Sequence, residues 1–227
     1  MNLTAPHPWD VTPHEAMEIQ CRLRDQVIAE TTFDVLESVA GIDCGYKDGM
    51  ARAAVVVLSY ADLRPLGQAV AEIPVPFPYV PGLLSFRETP AVLEALGRLS
   101  VEPDLLILDG HGYAHPRRMG LACHVGVITG VPAIGCAKSR LIGEHTEPPV
   151  EAGNWVLLHD QGEVIGAVVR SRTKVSPIFV SIGHKIDLET AIRVVLDCCT
   201  RYRLPETTRY AHRVAGGDPL DILPRLD

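Results

Sequence analysis

Three carboxylates stand where an acid is costly. Asp109 ends the apolar run Leu105-Leu106-Ile107-Leu108 and is followed by Gly110-His111-Gly112. Four consecutive apolar residues read as a strand buried on both faces, and an acid at its carboxyl end needs a cation or hydrogen-bond donors to receive it. In open α/β sheets that end is also where ligands collect. Asp43 lies in Gly41-Ile42-Asp43-Cys44-Gly45. In a strand, Ile42 and Cys44 point to one face and Asp43 stands alone on the other. Glu88 follows Gly82-Leu83-Leu84-Ser85-Phe86-Arg87 and precedes Thr89-Pro90. In isolation it reads as a helix-entry charge favoured by the dipole. Beside Asp43 and Asp109 it becomes a third oxygen ligand, and three acids from three elements suit Mg2+ or Mn2+ next to a phosphate.

Nitrogen groups flank the same region. His115-Pro116-Arg117-Arg118 reads as the opening of a helix, where backbone N–H groups and a guanidinium could hold a phosphate. Lys138 follows the short buried run Ala133–Ala137, a situation parallel to that of Asp109, and could neutralise charge at a scissile phosphate. His111 adjoins Asp109, whereas His124, on the apolar face of the following helix, reads as structural.

The elements that must position these groups are legible as one α/β domain over residues 1–227, with residues 1–11 and 218–227 expected to fray. Thr12-Pro13-His14-Glu15 has the form of a capping box, and Ile19, Leu23 and Val27 carry an amphipathic helix to about Glu30. Val39–Tyr46, Ala51–Tyr60 and Gly67–Val75 read as an antiparallel meander turning first at Lys47-Asp48-Gly49. The proline-stiffened loop Pro74–Gly82 cannot enter a sheet. Thr89-Pro90 is then expected to cap a short helix to Leu99, and Pro116 to start another that ends at Gly130. A hairpin (Trp155–His159, Val164–Arg170), an extended run from Pro177 and helices from Asp187 and Leu204 complete the chain.

Composition narrows the function. The 227 residues carry a formal charge of −7, which argues against a bulk nucleic-acid coat protein. The charge is uneven, however. Gly110–Gly143 holds no acid but contains Arg117, Arg118, Lys138 and Arg140, and Val164–Ile186 holds none but contains Arg170, Arg172, Lys174 and Lys185. The two stretches are either solvated faces or one anion groove. Six cysteines without CxxC spacing suggest reduced thiols in a cytoplasmic protein, and no apolar run suggests a membrane span or a signal peptide.

Asp43, the segment Pro78-Tyr79-Val80-Pro81-Gly82-Leu83-Leu84-Ser85-Phe86-Arg87-Glu88, Asp109-Gly110-His111-Gly112, His115-Pro116-Arg117-Arg118 and Gly135-Cys136-Ala137-Lys138 together resemble the endonuclease V family. Leu204-Pro205-Glu206-Thr207-Thr208-Arg209 with His212 extends the likeness, in collinear order, over nearly the whole chain. The resemblance implies a ribonuclease H-like fold, with a mixed five-stranded sheet flanked by helices. It implies a nuclease that cuts the second phosphodiester bond 3′ to deoxyinosine, leaving 3′-hydroxyl and 5′-phosphate ends. Asp43, Glu88 and Asp109 would bind Mg2+ or, in substitution, Mn2+; Lys138 joins them as a catalytic candidate, and His212 is expected to tune metal preference or shuttle a proton outside the core of the site. His212 would occupy a position where the broader ribonuclease H-like class often carries a fourth acid. Tyr79, in the loop of Pro78, Pro81 and Gly82, would be a wedge replacing an extruded base. Leu84 with the backbone around Gly110, His111 and Gly112 would line the hypoxanthine pocket, and His115, Arg117 and Arg118 would position the strand. A monomer acting on deoxyinosine DNA is expected.

Other readings differ in class. An inosine-specific endoribonuclease uses the same residues, and nothing in their types decides how a 2′-hydroxyl is treated. Asp43-Cys44-Gly45 also has the Asp-x-Gly form of actin-like ATPases and sugar kinases. Those need a second glycine-rich phosphate loop and an adenosine site, which this chain lacks. A catalytically silent nucleic-acid-binding module leaves unexplained why three elements bring carboxylates that would repel DNA.

Overall fold

In a computed structural model, which describes residues 1–221, the chain forms one mixed sheet with helices on both faces. The elements run α1 (Pro13–Leu23), β1 (Ser38–Lys47), β2 (Met50–Ser59), β3 (Pro65–Pro74), α2 (Leu84–Gly97), β4 (Leu105–Leu108), α3 (Leu121–Thr129), β5 (Ala133–Ala137), β6 (Trp155–Asp160), β7 (Glu163–Val169), β8 (Ile178–His184), α4 (Leu188–Asp197) and α5 (Glu206–Ala215). Strand order is β3-β2-β1-β4-β5-β8-β7-β6. The β3-β2-β1-β4-β5 portion is the expected mixed sheet, with β4 parallel to β1 and to β5. Antiparallel β8, β7 and β6 extend it to eight strands, because the 155–169 hairpin pairs through β7 with β8 rather than standing apart.

Alternation along β4 divides the core. Leu105 and Ile107 face the layer of α4 and α5, with Val39, Ile192, Val195, Ala211 and Val214. Leu106 and Leu108 face the layer of α2 and α3, with Ile42, Val92, Leu96 and Val125. All four β4 residues are fully buried, as an uninterrupted apolar strand requires. The same alternation sends Asp43 toward α5 and Cys44 and Tyr46 toward α2.

Local signals hold where they rest on hydrogen-bonding chemistry. Glu15 N–H donates to Thr12 Oγ1 at 3.3 Å while Thr12 N–H donates to Glu15 Oε2 at 2.7 Å, closing the capping box. Asp187 accepts from Thr190 N–H at 2.8 Å. Proline-based expectations shift. Helix α2 starts at Leu84, with Pro90 inside it, because burial of Ser85, Phe86, Glu88 and Thr89 holds its first turn against the core. Helix α3 starts at Leu121, so His115–Arg118 is a tight turn and not a helix opening; Arg118 adopts φ 55° there. The amphipathic helix α1 is shorter than expected, with a single 3-10 turn at Arg24–Gln26 after it.

The N-terminal residues 1–11 form no helix or strand, yet they are docked and not frayed. Asn2 N–H donates to Thr129 O at 3.1 Å, its amide donates to Ile128 O at 3.1 Å, and His7 is buried. Leu220 and Gln68 exchange two hydrogen bonds of 2.9 Å, tying the start of the C-terminal tail to β3; the rest of that tail lies outside the described residues.

Candidate active site

The end of the sheet gathers the three acids. Ile42 pairs with Leu108, and Asp109 N–H donates to Ile42 O at 3.0 Å, so Asp43 and Asp109 emerge side by side from parallel strands. Glu88 comes from the opposite layer, four residues into α2, and Tyr46 donates its hydroxyl to Glu88 Oε1 at 2.9 Å. His212 reaches Asp43 from above, Nδ1 to Oδ2 at 2.6 Å. That approach depends on Gly41: a Cβ there would lie 2.0 Å from the Thr207 carbonyl oxygen at the start of α5. Only a residue without a side chain lets α5 rest directly on β1 and carry His212 over Asp43.

Each acid has a partner from the chain itself. Lys138 Nζ pairs with Asp109 Oδ2, and Asp43 Oδ1 accepts from Cys44 N–H at 2.9 Å. Burial, then the neighbouring Asp109, pushes the Asp43 carboxyl above its usual range, although His212 and Lys138 pull the other way. Burial pushes Glu88 to about 8; the Tyr46 hydrogen bond opposes this, and the charges of Asp43 and Asp109 reinforce it. Burial works against the charge of Lys138, but the hydrogen bond and charge of Asp109, with Asp43, outweigh it and raise its pKa. No three His, Cys, Asp or Glu side chains among the described residues converge closely enough to cage an ion by themselves. The three acids nevertheless share one electrostatic field, and an all-oxygen donor set under mutual repulsion is what a hard divalent cation relieves.

A second feature adjoins the acids. Tyr79, Pro81, Gly82, Leu84, Gly110 and His111 line a cavity of about 160 Å³, so Asp109-Gly110 leads directly from the acid cluster into it. Tyr79 stands 73% exposed at the rim, and Pro78 is exposed beside it. Gly82, at φ 78°, presents its carbonyl to three donors: Gln20 Nε2 at 3.1 Å, His115 Nε2 at 2.9 Å and Arg117 Nη2 at 2.8 Å. Burial lowers the pKa of His115 to about 4, so its ring stays neutral, donating to Gly82 O and accepting from Arg117 N–H.

These contacts reassign several residues. His115 and Arg117 hold the Gly82 turn, Arg117 Nε also donating to Gln20 Oε1 at 2.6 Å. Arg118 pairs with Asp160 at 2.9 Å and Glu163 at 2.8 Å. Gly112 is not part of the cavity wall; its N–H donates to Ser181 Oγ at 2.9 Å. Nor do the two basic stretches make one groove, since Arg170 is buried against Glu147 and backbone carbonyls, and Lys185 donates to Gly130 O.

Four further residues serve the site without having been singled out from sequence. Tyr46 shares the alternation of Ile42 and Cys44, so its facing toward α2 was readable. Gln20 is a fully buried amide on the apolar face of α1, beside Ala16, Ile19 and Leu23. Ser85 lines the cavity beside Leu84. Arg87 Nη1 donates to Phe77 O at 3.0 Å and stacks on Tyr46, pinning the proline loop to the acid cluster.

The sequence model of the Endonuclease V family matches residues 21–213. The chain belongs to the endonuclease V family. It is 54% identical over 215 residues to the endonuclease V of Roseiflexus sp. (strain RS-1), covering 95% of this chain and 97% of that one. The crystal structure of endonuclease V from Streptomyces avermitilis superposes with a TM-score of 0.89 at 40% identity, covering 96% of this chain and 97% of the other. Endonuclease V (D234N) of Ciona intestinalis, in complex with a 23mer DNA containing an inosine followed by a ribo-adenosine, superposes with a TM-score of 0.78 at 30% identity, covering 91% and 98%. As a member of this endonuclease V family, the chain is a DNA endonuclease. No helix among the described residues is long and apolar enough to cross a membrane.

Proposed function

We propose that this endonuclease recognises deoxyinosine in deaminated DNA and cuts the second phosphodiester bond on its 3′ side, leaving a 3′-hydroxyl and a 5′-phosphate. One observation carries the reading: Asp109-Gly110 joins the acid cluster directly to a cavity rimmed by an exposed tyrosine. Asp43, Glu88 and Asp109 would hold Mg2+, or Mn2+ in its place; when bound, the ion supplies charge stabilisation at the phosphate and an activated water. Lys138 neutralises charge at the scissile phosphate, and His212 orients the Asp43 carboxylate.

Extruding a base costs a few kcal/mol, roughly, and Tyr79 on its proline-stiffened loop replaces the lost stacking. His111 adds a reason for choosing hypoxanthine. Its Nε2 lies 3.0 Å from the Ser139 carbonyl and donates to it, which leaves Nδ1 as a buried acceptor without a partner among the described residues. Deamination turns the purine N1 from an acceptor into an N–H donor, and a turn of the His111 ring that brings Nδ1 to the cavity it lines would favour that edge over adenine.

A second reading, an inosine-specific endoribonuclease, draws on the ribo-adenosine after the inosine in the Ciona complex, where a relative holds a strand with a 2′-hydroxyl at that position. A location in the cytoplasm belongs to the same proposal, supported by free cysteines alone, and so does a monomeric state. The deciding experiment is cleavage of matched DNA and RNA oligonucleotides, with inosine or adenosine at one position, in Mg2+, with the cut mapped. Inosine-dependent nicking of DNA two bonds 3′ to the lesion is expected. Nicking at another position, or at adenosine equally well, overturns the reading, and a strong preference for RNA selects the second one.

A further inference from the structure

A strand that places a base in the cavity and a phosphate at the acids must leave the cluster on its other side. There, Lys138 and His212 also line a separate groove of about 520 Å³, together with Tyr202, Arg203, Arg209 and Arg213. The groove and the base cavity have no lining residue in common, and both adjoin the acid cluster: one through Gly110, the other through Lys138 and His212. Among the described residues no acid lines the groove, although the chain carries 28 acidic residues against 21 basic ones.

Its floor is organised for stacking. The Arg209 guanidinium lies 3.4 Å from the Tyr202 ring centroid and is itself held by Glu206, while Tyr202 remains 42% exposed. Arg203 Nη2 donates to the carbonyls of Lys138 at 2.6 Å and Pro177 at 2.7 Å, fixing this loop to the strand end that carries the catalytic lysine. Among the described residues Arg213 pairs with Asp218, an exposed contact of the kind that exchanges readily for a phosphate. An aromatic ring with a stacked guanidinium and an exposed, exchangeable cation nearby is the equipment by which single strands are held without reading their sequence.

We propose that this groove seats the nucleotides beyond the scissile phosphate, on the side away from the extruded base, with Tyr202 and Arg209 as the stacking ledge and Arg213 on the backbone. The proposal deepens the nuclease reading and rests on it. The groove then lengthens the footprint past the cut and holds the strand in line across the acids.

The test is binding and single-turnover cleavage of inosine oligonucleotides shortened stepwise on each side of the mapped cut, with wild type, Tyr202→Ala, Tyr202→Phe and Arg213→Ala. Wild-type affinity should fall about tenfold when the strand beyond the cut is reduced to one nucleotide. On long substrates Tyr202→Ala and Arg213→Ala should each lose about fivefold to tenfold, and on substrates shortened beyond the cut they should match wild type. Tyr202→Phe should behave as wild type throughout, and the preference for inosine over adenosine should be unchanged in all four proteins. A flat length profile for wild-type cleavage at inosine overturns the groove alone. Equal losses on long and short substrates overturn it too, assigning Tyr202 to stability. Cleavage without regard to inosine overturns the nuclease reading and the groove with it.

Discussion

His124 accepts a hydrogen bond at Nδ1 from the Ser85 hydroxyl, 2.9 Å away, linking the buried layer behind α2 to the wall of the cavity rimmed by Tyr79. The direction follows from the chain of partners. The Pro8 carbonyl can only accept, so His7 carries its proton on Nδ1 and accepts at Nε2 from His124 Nε2, 2.8 Å away. Burial, then His7, lowers the pKa of His124 to about 3, so the relay stays neutral. Ser85→Ala would leave His124 Nδ1 buried without a donor, costing about 1–3 kcal/mol of stability. It should also raise KM for inosine substrates more than it lowers kcat, because the cavity wall loosens while the acids stay in place. Thermal unfolding together with steady-state kinetics checks both. An unchanged KM would confine Ser85 to stability.

Asp109→Ala should leave the fold intact and retain inosine-DNA binding, while cleavage falls by more than the roughly 10–100-fold expected for an outer partner of a metal ligand. Lys138→Met should fall less far, since it leaves all three acids in place. Circular dichroism, binding and cleavage by each variant decide the matter: near wild-type turnover of the Asp109 variant removes it from the metal site, and unfolding makes it structural.

Tyr79 is exposed, so Tyr79→Ala should change stability by less than about 0.5 kcal/mol. Binding to inosine duplexes should weaken by about 1–3 kcal/mol, the worth of one stacked base, with a smaller loss on single strands that have less stacking to replace. Equal losses on both substrates count against a wedge.

What was legible in the sequence was what backbone periodicity controls. Leu105–Leu108 had to be a strand covered on both faces, and the acids at its end and at Asp43 had to sit together once β1 and β4 paired. The turn at His115–Arg118 was not legible, because proline marks a helix start and a tight turn equally well, and Arg117 points inward to tertiary partners, the Gly82 carbonyl and the Gln20 side chain. Nor was the α2 boundary, since the burial that holds its first turn around Pro90 is a tertiary effect. Residue types alone likewise did not show that Arg170 is buried against carbonyls while Arg213 stays at the surface, paired with Asp218.

Glu88 makes a prediction about metal-free protein. Its folded pKa, about 8, lies above the ordinary 4.5, so the folded state keeps a proton that the unfolded chain releases. The stability tied to that proton is fully present below about pH 4.5 and is lost as pH rises through about 8. In chelator, the melting temperature should therefore decline over this window, and Glu88→Gln should flatten the decline. Added Mg2+ should stabilise the wild type more at pH 8 than at pH 6, because binding requires the ionised carboxylate. Mg2+ stabilisation that does not depend on pH would place Glu88 outside the cation site.

His212 offers the finest test of the site. Its side chain is 72% exposed, and Asp43, with which it shares a 2.6 Å contact, is 12% exposed. A histidine on a helix end usually faces water without consequence, but Gly41 lets α5 press onto β1, and the ring then meets a carboxylate that burial and Asp109 both disfavour as a charge. The imidazole is thus placed to orient Asp43, and its nitrogen suits Mn2+ better than Mg2+. His212→Ala should reduce Mg2+-supported cleavage by roughly 10–100-fold, the range for a group acting through a metal ligand, and by less than Asp109→Ala. The ratio of Mn2+ to Mg2+ activity should change as well. Both are to be measured from about pH 6 to 9, which brackets an ordinary histidine pKa of roughly 6.5. Unchanged rates and an unchanged metal ratio over that range would make His212 a surface residue that merely happens to touch Asp43.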